Sequence, residues 1–121
     1  MEILAIKNYL LKKEEKEKLL KEQERDVIIE KLINLEPVWQ KYKILKVYLY
    51  GSFADLTFCK YSDIDLAVKS EMGYATFLRF FSEVDKVFKR EVDLRLLKEL
   101  PFAEQIRERG VLIYERKDSG T

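Results

Sequence analysis

The hydrophobic and polar positions of the first 35 residues follow a helical pattern that neither glycine nor proline interrupts. Apolar residues recur at helical spacing near both ends of this stretch, at Ile3, Ile6 and Leu10 and again at Ile28, Ile29, Leu32 and Ile33. Between them runs the charged segment KKEEKEK, whose Glu-to-Lys pairs four residues apart favour a helix. The pattern predicts a long surface helix with a solvated middle. Alternatively, its apolar N-terminal stripe docks to a partner or a second copy.

After Pro37, short apolar stretches rich in β-forming residues alternate with helical ones. The stretches ILKVYLYG (44–51), SDIDLAVK (62–69) and EVDLRLLK (91–98) predict strands, and VLIYE (111–115) a short last strand. The segment SFADLTFCKY (52–61) predicts a short helix or turn, and residues 72–90 a helix with one apolar stripe. A last helix is expected from Pro101 to about Arg109, ended by Gly110.

This order of elements predicts an α/β (α+β) fold, in which helices pack on a small mixed β-sheet of three to four strands. We expect a long N-terminal helical segment at residues 1–36, the main domain at 37–115 and a disordered tail at 116–121. The strand order cannot be read from the pattern. A chain of 121 residues fits one compact domain.

Composition excludes several classes of function. The chain has 23 basic and 22 acidic residues, and this balance argues against a direct nucleic-acid binder that neutralises many phosphates. It has no histidine, which excludes Ser-His-Asp triads, histidine bases and most zinc sites. The single cysteine fits a reducing compartment, and neither a signal peptide nor an apolar run of about 20 residues is seen. We therefore expect a cytoplasmic protein without a membrane partner.

Aspartates stand in unusual places within the predicted strands. Asp63 and Asp65 are two residues apart, so their side chains are expected on the same face of the second strand. Asp93 has the same setting in the third strand, and it can join the other two if the two strands pair. Grouped carboxylates repel one another unless a cation lies between them. The three acids therefore predict a site for Mg²⁺ or Mn²⁺, which prefer oxygen ligands.

Gly51 and Ser52 lie where the first strand ends and the short helix begins. Glycine lets the backbone approach a phosphate closely, and the serine hydroxyl adds a donor. Metal-binding acids that face a phosphate-binding turn are the parts needed for in-line transfer at phosphorus.

Gly51-Ser52, then Asp63-Ile64-Asp65, then Asp93 on a later strand, together resemble the minimal nucleotidyltransferase domain of the polymerase-β-like superfamily. The resemblance covers roughly residues 38–114. It implies that Gly51 and Ser52 bind the nucleoside triphosphate and that Asp63 and Asp65 bind metal. Asp93 would bind metal or activate the attacking hydroxyl, so the three acids are the expected catalytic residues. The implied cofactor is Mg²⁺ (or Mn²⁺), with ATP as substrate.

One departure from the family pattern concerns Asp55, which stands where many small members have an arginine; their second glycine is also missing. An acid at this point would repel a triphosphate, although Ser52 and Asp55 also match a helix capping box. Two arginines, Arg90 and Arg95, flank Asp93. We expect them on a solvated face, the alternative being a role on nucleotide phosphate.

Small stand-alone members of this family resemble the antitoxins of two-gene systems whose partner is a HEPN-domain toxin. The resemblance implies an antitoxin-type protein adenylyltransferase that transfers AMP from ATP to a hydroxyl of the toxin, expected to be a tyrosine. Two alternatives stay open. The chain is a non-catalytic antitoxin that neutralises the toxin by direct binding, or it is a small-molecule nucleotidyltransferase that works as a homo-oligomer.

Overall fold

Hydrogen bonding joins four β-strands between residues 46 and 115 into one sheet in the computed structural model, which describes residues 2–117. Within these residues the strands are β1 (Lys46–Tyr50), β2 (Ile64–Lys69), β3 (Val92–Leu96) and β4 (Val111–Glu115). The helices are α1 (Glu2–Ile33), α2 (Glu36–Lys41), α3 (Ser52–Asp55), α4 (Tyr74–Asp85) and α5 (Ala103–Arg109), with a 3-10 turn at Leu97–Glu99. Of the expected tail, residues 118–121 lie outside the described residues.

The strand order is β3-β2-β1-β4. Strands β2 and β3 are parallel, while β1 pairs antiparallel with both β2 and β4. The parallel pair needs a crossover connection, and α4 supplies it. The mixed sheet with flanking helices and a long N-terminal helix confirms the fold class predicted from the sequence.

The two faces of the sheet differ because side chains alternate along each strand. Val47, Leu49, Leu66 and Val68 are fully buried on the face that packs against the end of α1, α2 and α4. The opposite face is covered over part of its area by α5 and the 3-10 turn, against Tyr48 and Ala67. Tyr50, Asp65 and Asp93 belong to this second face by their strand parity, and the sheet therefore presents the acids beside α5.

Trp39 connects the end of α1 to the main core. Its side chain is fully buried, and its indole N–H donates a 3.0 Å hydrogen bond to the carbonyl of Leu32. The ring of Phe80 in α4 meets it edge-on at 5.8 Å. The bond satisfies one of the carbonyls that the last turn of a helix leaves without an intrahelical partner.

Most of α1 extends away from this core. The helix has 32 residues, which gives a length of about 48 Å, and its buried residues are Ile28 and Leu32. Residues 2–20 are all exposed, including Ile3 and Ile6 of the predicted stripe. Among the helices of residues 2–117, none is long and apolar enough to span a bilayer.

Two helix boundaries differ from the prediction. Helix α4 ends at Asp85 rather than near residue 90, because Val87 and Phe88 pack against the core from a turn that brings the chain back to β3. Helix α5 begins at Ala103, two residues after Pro101. Gly110 does follow its last turn, and the oxygens of Ile106 and Leu49 lie so close that a side chain would not fit there.

Candidate functional site

A tight turn at the end of β1 forms one side of the site. Gly51 has φ +70° and ψ −144°, a conformation that is essentially restricted to glycine. A methyl group built on Gly51 would overlap Oδ2 of Asp65 and lie 3.3 Å from its Cγ. The missing side chain therefore allows both the turn and its close approach to the Asp65 carboxylate.

Helix α3 follows this turn directly. Gly51 occupies the N-cap position, and no side chain makes a capping hydrogen bond, so the capping box predicted for Ser52 and Asp55 is wrong. Ser52 is already helical, because Gly51 supplies the sharp change of backbone direction that an N-cap needs. The Asp55 amide donates a 3.0 Å hydrogen bond to the Gly51 carbonyl instead.

Neighbouring strands bring two of the predicted acids together. Asp65 and Asp93 are register partners in the parallel pair β2–β3, and Tyr50 is the register partner of Asp65 on β1. The three side chains thus form one row across the sheet. Asp63 precedes β2 by one residue and is exposed in a loop, rather than lying in the strand.

The electrostatics of this row indicate crowded negative charge. Burial raises the pKa of Asp65 to about 6, with further increases from the charges of Asp93 and Asp63, while Arg95 acts in the opposite direction. Burial and the same two strand acids, Asp65 and Asp93, raise the pKa of Tyr50 to about 12. A cation placed among these carboxylates would relieve the repulsion.

Arg95 places a positive charge beside this row of acids. Its Nε and Nη2 donate hydrogen bonds of 3.0 and 3.4 Å to the two carboxylate oxygens of Asp93. This pairing raises the pKa of Arg95. Arg95 is half exposed, as we expected of a solvated face, but its guanidinium is occupied by the acid beside it.

The donors of this site suit a divalent cation by their chemistry but not by their arrangement in the structure. The candidate ligands are all carboxylates, which is the donor type that Mg²⁺ and Mn²⁺ prefer. No group of three Asp, Glu or Cys side chains within residues 2–117 is arranged to hold a metal ion. The type of donor thus fits the metal. Coordination by all three acids requires the Asp93 carboxylate to leave Arg95 and the Asp63 side chain to turn toward Asp65.

A cavity of about 300 Å³ lies beside the Gly51 turn, between the end of β1 and α5. Its walls include the rings of Tyr50 and Phe102, which are 6.0 Å apart, together with Asp55 and Arg109. No local pattern in the sequence predicts this cavity, because Phe102 just before α5 and Arg109 at its end reach the cavity from a segment that follows β3.

Arg90, expected on a solvated face with a role on nucleotide phosphate as the alternative, makes contacts that the sequence did not predict. Its side chain is only 20% exposed, so the expectation of a solvated face is wrong for this residue. The guanidinium binds backbone carbonyls of the loop that leads to Asp63. Carbonyl partners carry no residue signature, and the sequence therefore could not reveal them.

The profile of one protein family, described as "Polymerase beta, Nucleotidyltransferase", matches residues 30–119. The match spans about three quarters of the chain and includes the Gly51 turn and all three acids. The chain belongs to this family. The family expected from the sequence motifs is thereby confirmed. No curated protein sequence is significantly similar to the chain.

Solved structures of similar fold come from toxin-antitoxin complexes. A toxin-antitoxin with AMP-PNP is 20% identical, covers 69% of this chain and 72% of its own, and has a TM-score of 0.56. Two mutants of the toxin-antitoxin MntA-HpeT are 18% identical, with TM-scores of 0.57 and 0.51. Each covers 69% of this chain, and 73% and 71% of its own chain, respectively. At these identities the likeness shows that the nucleotidyltransferase fold is shared.

Proposed function

We propose that this nucleotidyltransferase is an antitoxin that transfers AMP from ATP to a tyrosine hydroxyl of a HEPN-domain toxin. The observation that carries the proposal is the row of Asp65 and Asp93 beside the Gly51 turn, on the fold of a nucleotidyltransferase. The similar solved folds include a toxin-antitoxin with AMP-PNP, and this supports a toxin as partner and ATP as nucleotide.

Each residue has a role in this proposal. Gly51 and Ser52 bind the triphosphate, because glycine adds no side chain of its own to the turn and so lets the backbone approach a phosphate closely. Asp63, Asp65 and Asp93 would hold Mg²⁺, which neutralises phosphate charge and orients the reacting oxygens. Asp93 also accepts the proton of the acceptor hydroxyl, in a chain that has no histidine to do so.

In this proposal the acceptor hydroxyl belongs to the partner protein. Asp65 and Asp93 lie on the sheet face that α5 and the 3-10 turn cover over only part of its area. A hydroxyl that attacks the α-phosphorus has to enter in line with the departing pyrophosphate. A toxin docked over this face can present a tyrosine there, which agrees with the toxin-antitoxin nature of the similar folds.

A second candidate is a non-catalytic antitoxin that neutralises the toxin by contact. Two observations favour it. Asp93 is already paired with Arg95, and Asp55, the last residue of α3, lines the cavity beside the Gly51 turn, where an acid repels triphosphate. In this case the acids are dispensable for neutralisation, while the docking surface is essential.

The experiment mixes the chain with a candidate HEPN-domain partner, ATP and Mg²⁺, and weighs both proteins by intact-mass spectrometry. Asp65→Asn removes a proposed metal ligand, and Asp26→Asn on the exposed surface of α1 is the matched control. We expect the partner to gain whole AMP units with the wild type and with Asp26→Asn, but not with Asp65→Asn. A stable complex without any mass gain would support the non-catalytic antitoxin.

A further inference from the structure

Arg90 forms hydrogen bonds to the backbone of the loop that precedes Asp63. Its Nη1 donates hydrogen bonds to the carbonyl oxygens of Cys59, Lys60 and Ser62 at 3.0, 3.1 and 2.9 Å. Because all three carbonyl oxygens point to one nitrogen, the loop bends around the guanidinium. The next residue in the chain is Asp63, so the position of the guanidinium sets the point from which Asp63 leaves the loop.

The same guanidinium lies against helix α3, which begins at Ser52. Its Cζ is 5.0 Å from the ring centre of Phe53 and 5.6 Å from that of Phe58, and the two rings are stacked at 4.0 Å. Cation–π contacts of this kind are stronger when water is excluded, as it largely is here. Arg90 therefore ties the loop before Asp63 to the helix after the Gly51 turn.

A third contact reaches α1. Nε and Nη2 of Arg90 donate hydrogen bonds of 3.2 and 2.8 Å to Oε1 of Glu24. The Glu24 side chain is about half exposed, so this ion pair contributes little free energy by itself. The carbonyl and ring contacts are the more buried part of the arrangement.

We propose that Arg90 is a positioning residue for nucleotidyl transfer, which holds loop 59–62 against α3 so that Asp63 can reach the metal held by Asp65. This inference rests on the proposed function, because it assumes that Asp63 and Asp65 bind a divalent cation. Arg90 touches neither substrate nor metal. Its effect passes through the loop backbone, as the groups behind metal ligands commonly act.

The geometry requires arginine rather than any cation. A guanidinium offers five N–H donors in one plane. Here those at its edges donate to three carbonyls and a carboxylate, while its flat face contacts the two rings. A lysine ammonium has three donors and no flat face. Arg90→Lys therefore keeps the charge but cannot keep all these contacts, and it separates positioning from charge.

The first test measures Mn²⁺ binding by electron paramagnetic resonance on the full chain, without nucleotide or partner. Outer groups that position metal ligands typically change metal affinity by about 10–100-fold, and we expect Arg90→Lys to weaken binding by about tenfold or more. Glu24→Gln is the matched control, because it removes the α1 ion pair and leaves the loop contacts. It should bind Mn²⁺ within about twofold of the wild type, well below that range.

The second readout is amide hydrogen exchange of residues 59–63, which reports local opening of the loop. We expect faster exchange there in Arg90→Lys and unchanged exchange in Glu24→Gln. A general loss of stability would instead raise exchange across the core strands as well, and a denaturation curve of each variant tests for that. Uniformly raised exchange in Arg90→Lys would overturn the positioning role.

Comparison with Asp65→Asn separates this inference from the proposed function. Suppose that the wild type binds Mn²⁺, that Asp65→Asn abolishes this binding and that Arg90→Lys leaves it unchanged. This result would overturn the inference and leave the proposed function standing. Wild-type protein that binds no Mn²⁺ at this site would overturn the metal-dependent function, and the inference with it.

Discussion

Replacing Gly51 with alanine should both destabilise the fold and disturb the site. The residue has φ +70° and ψ −144°, and an alanine held there is strained by about 1–3 kcal/mol. The new methyl group would also overlap Oδ2 of Asp65. That carboxylate is half-buried and can move only by rotating away from its neighbours, which adds to the cost.

The strain alone should lower the melting temperature by several degrees. For a domain of this size, 1 kcal/mol corresponds to about 4 °C, so Gly51→Ala should melt about 4–12 °C below the wild type. Thermal unfolding followed by circular dichroism, in EDTA, measures this without any metal contribution. Mn²⁺ binding should be lost in parallel, because the Asp65 carboxylate is displaced.

Gly73→Ala is the matched control. A methyl group built on Gly73 meets nothing within 4 Å, and the residue has φ −80°, which alanine accepts readily. Reduced entropy of the unfolded chain favours alanine, while the N-cap position of α4 favours glycine. These effects oppose each other, so the change in stability should stay below about 1 kcal/mol.

A double-mutant cycle separates backbone strain from the clash. In an Asp65→Ala background the carboxylate is gone, so Gly51→Ala should cost only the backbone part. The reasoning would be refuted if Gly51→Ala melted within about 1 °C of the wild type, well short of the shift expected from the strain. An equal cost in both backgrounds would refute the clash with Asp65 while leaving the strain intact.

Three further predictions concern charge, packing and α1. Because the folded-state pKa of Asp65 is raised from 3.8 to about 6, the folded protein holds that proton more tightly, and its contribution to stability falls as pH rises from about 4 to about 6. Asp65→Asn should therefore stabilise the metal-free protein at pH 7 by about 1–2 kcal/mol after allowance for solvent screening, but not at pH 3.5, as urea denaturation at both values would show; equal effects at the two values would contradict this. Trp39→Phe removes the 3.0 Å donor of the Leu32 carbonyl, which keeps the Leu35 amide at 3.2 Å, so the lost hydrogen bond should cost about 0.5–1.5 kcal/mol in the same assay, whereas an unchanged midpoint would mean that the bond contributes nothing. Deleting residues 2–18, which are exposed, should leave the melting temperature of the domain unchanged, and a clear fall would show that this part of α1 packs on the domain in solution.

Local patterns allowed much of the fold to be predicted. The spacing of apolar residues identified the long helix, and the β-rich stretches identified four strands whose cores lie within the predicted limits. Helix ends were less accurate, because Phe88 packs against the core from a turn rather than from the last turn of α4. Here a tertiary contact overrode a continuous helical stripe.

Some parts of the candidate site could also be predicted from local patterns, and others could not. The Gly51 turn and the place of Asp65 in a strand follow from a motif and from strand periodicity, which involve neighbours in sequence. The same periodicity wrongly placed Asp63 in that strand, because β2 begins one residue later, at Ile64. That Asp93 stands beside Asp65 depended on which strands pair, and the structure shows this pairing. The ion pair between Asp93 and Arg95 was not predicted, because it depends on how two side chains turn toward each other.

The elements, the family and the candidate acids could be predicted because each depends on residues that are close along the chain. The strand order, the cavity beside Gly51 and the contacts of Arg90 depend on how distant segments pack. The partners of Arg90 lie 28 to 31 residues away in one loop and 66 residues away in α1. Three of these partners are backbone carbonyls, which every residue possesses, and folding alone selects which of them meet the guanidinium.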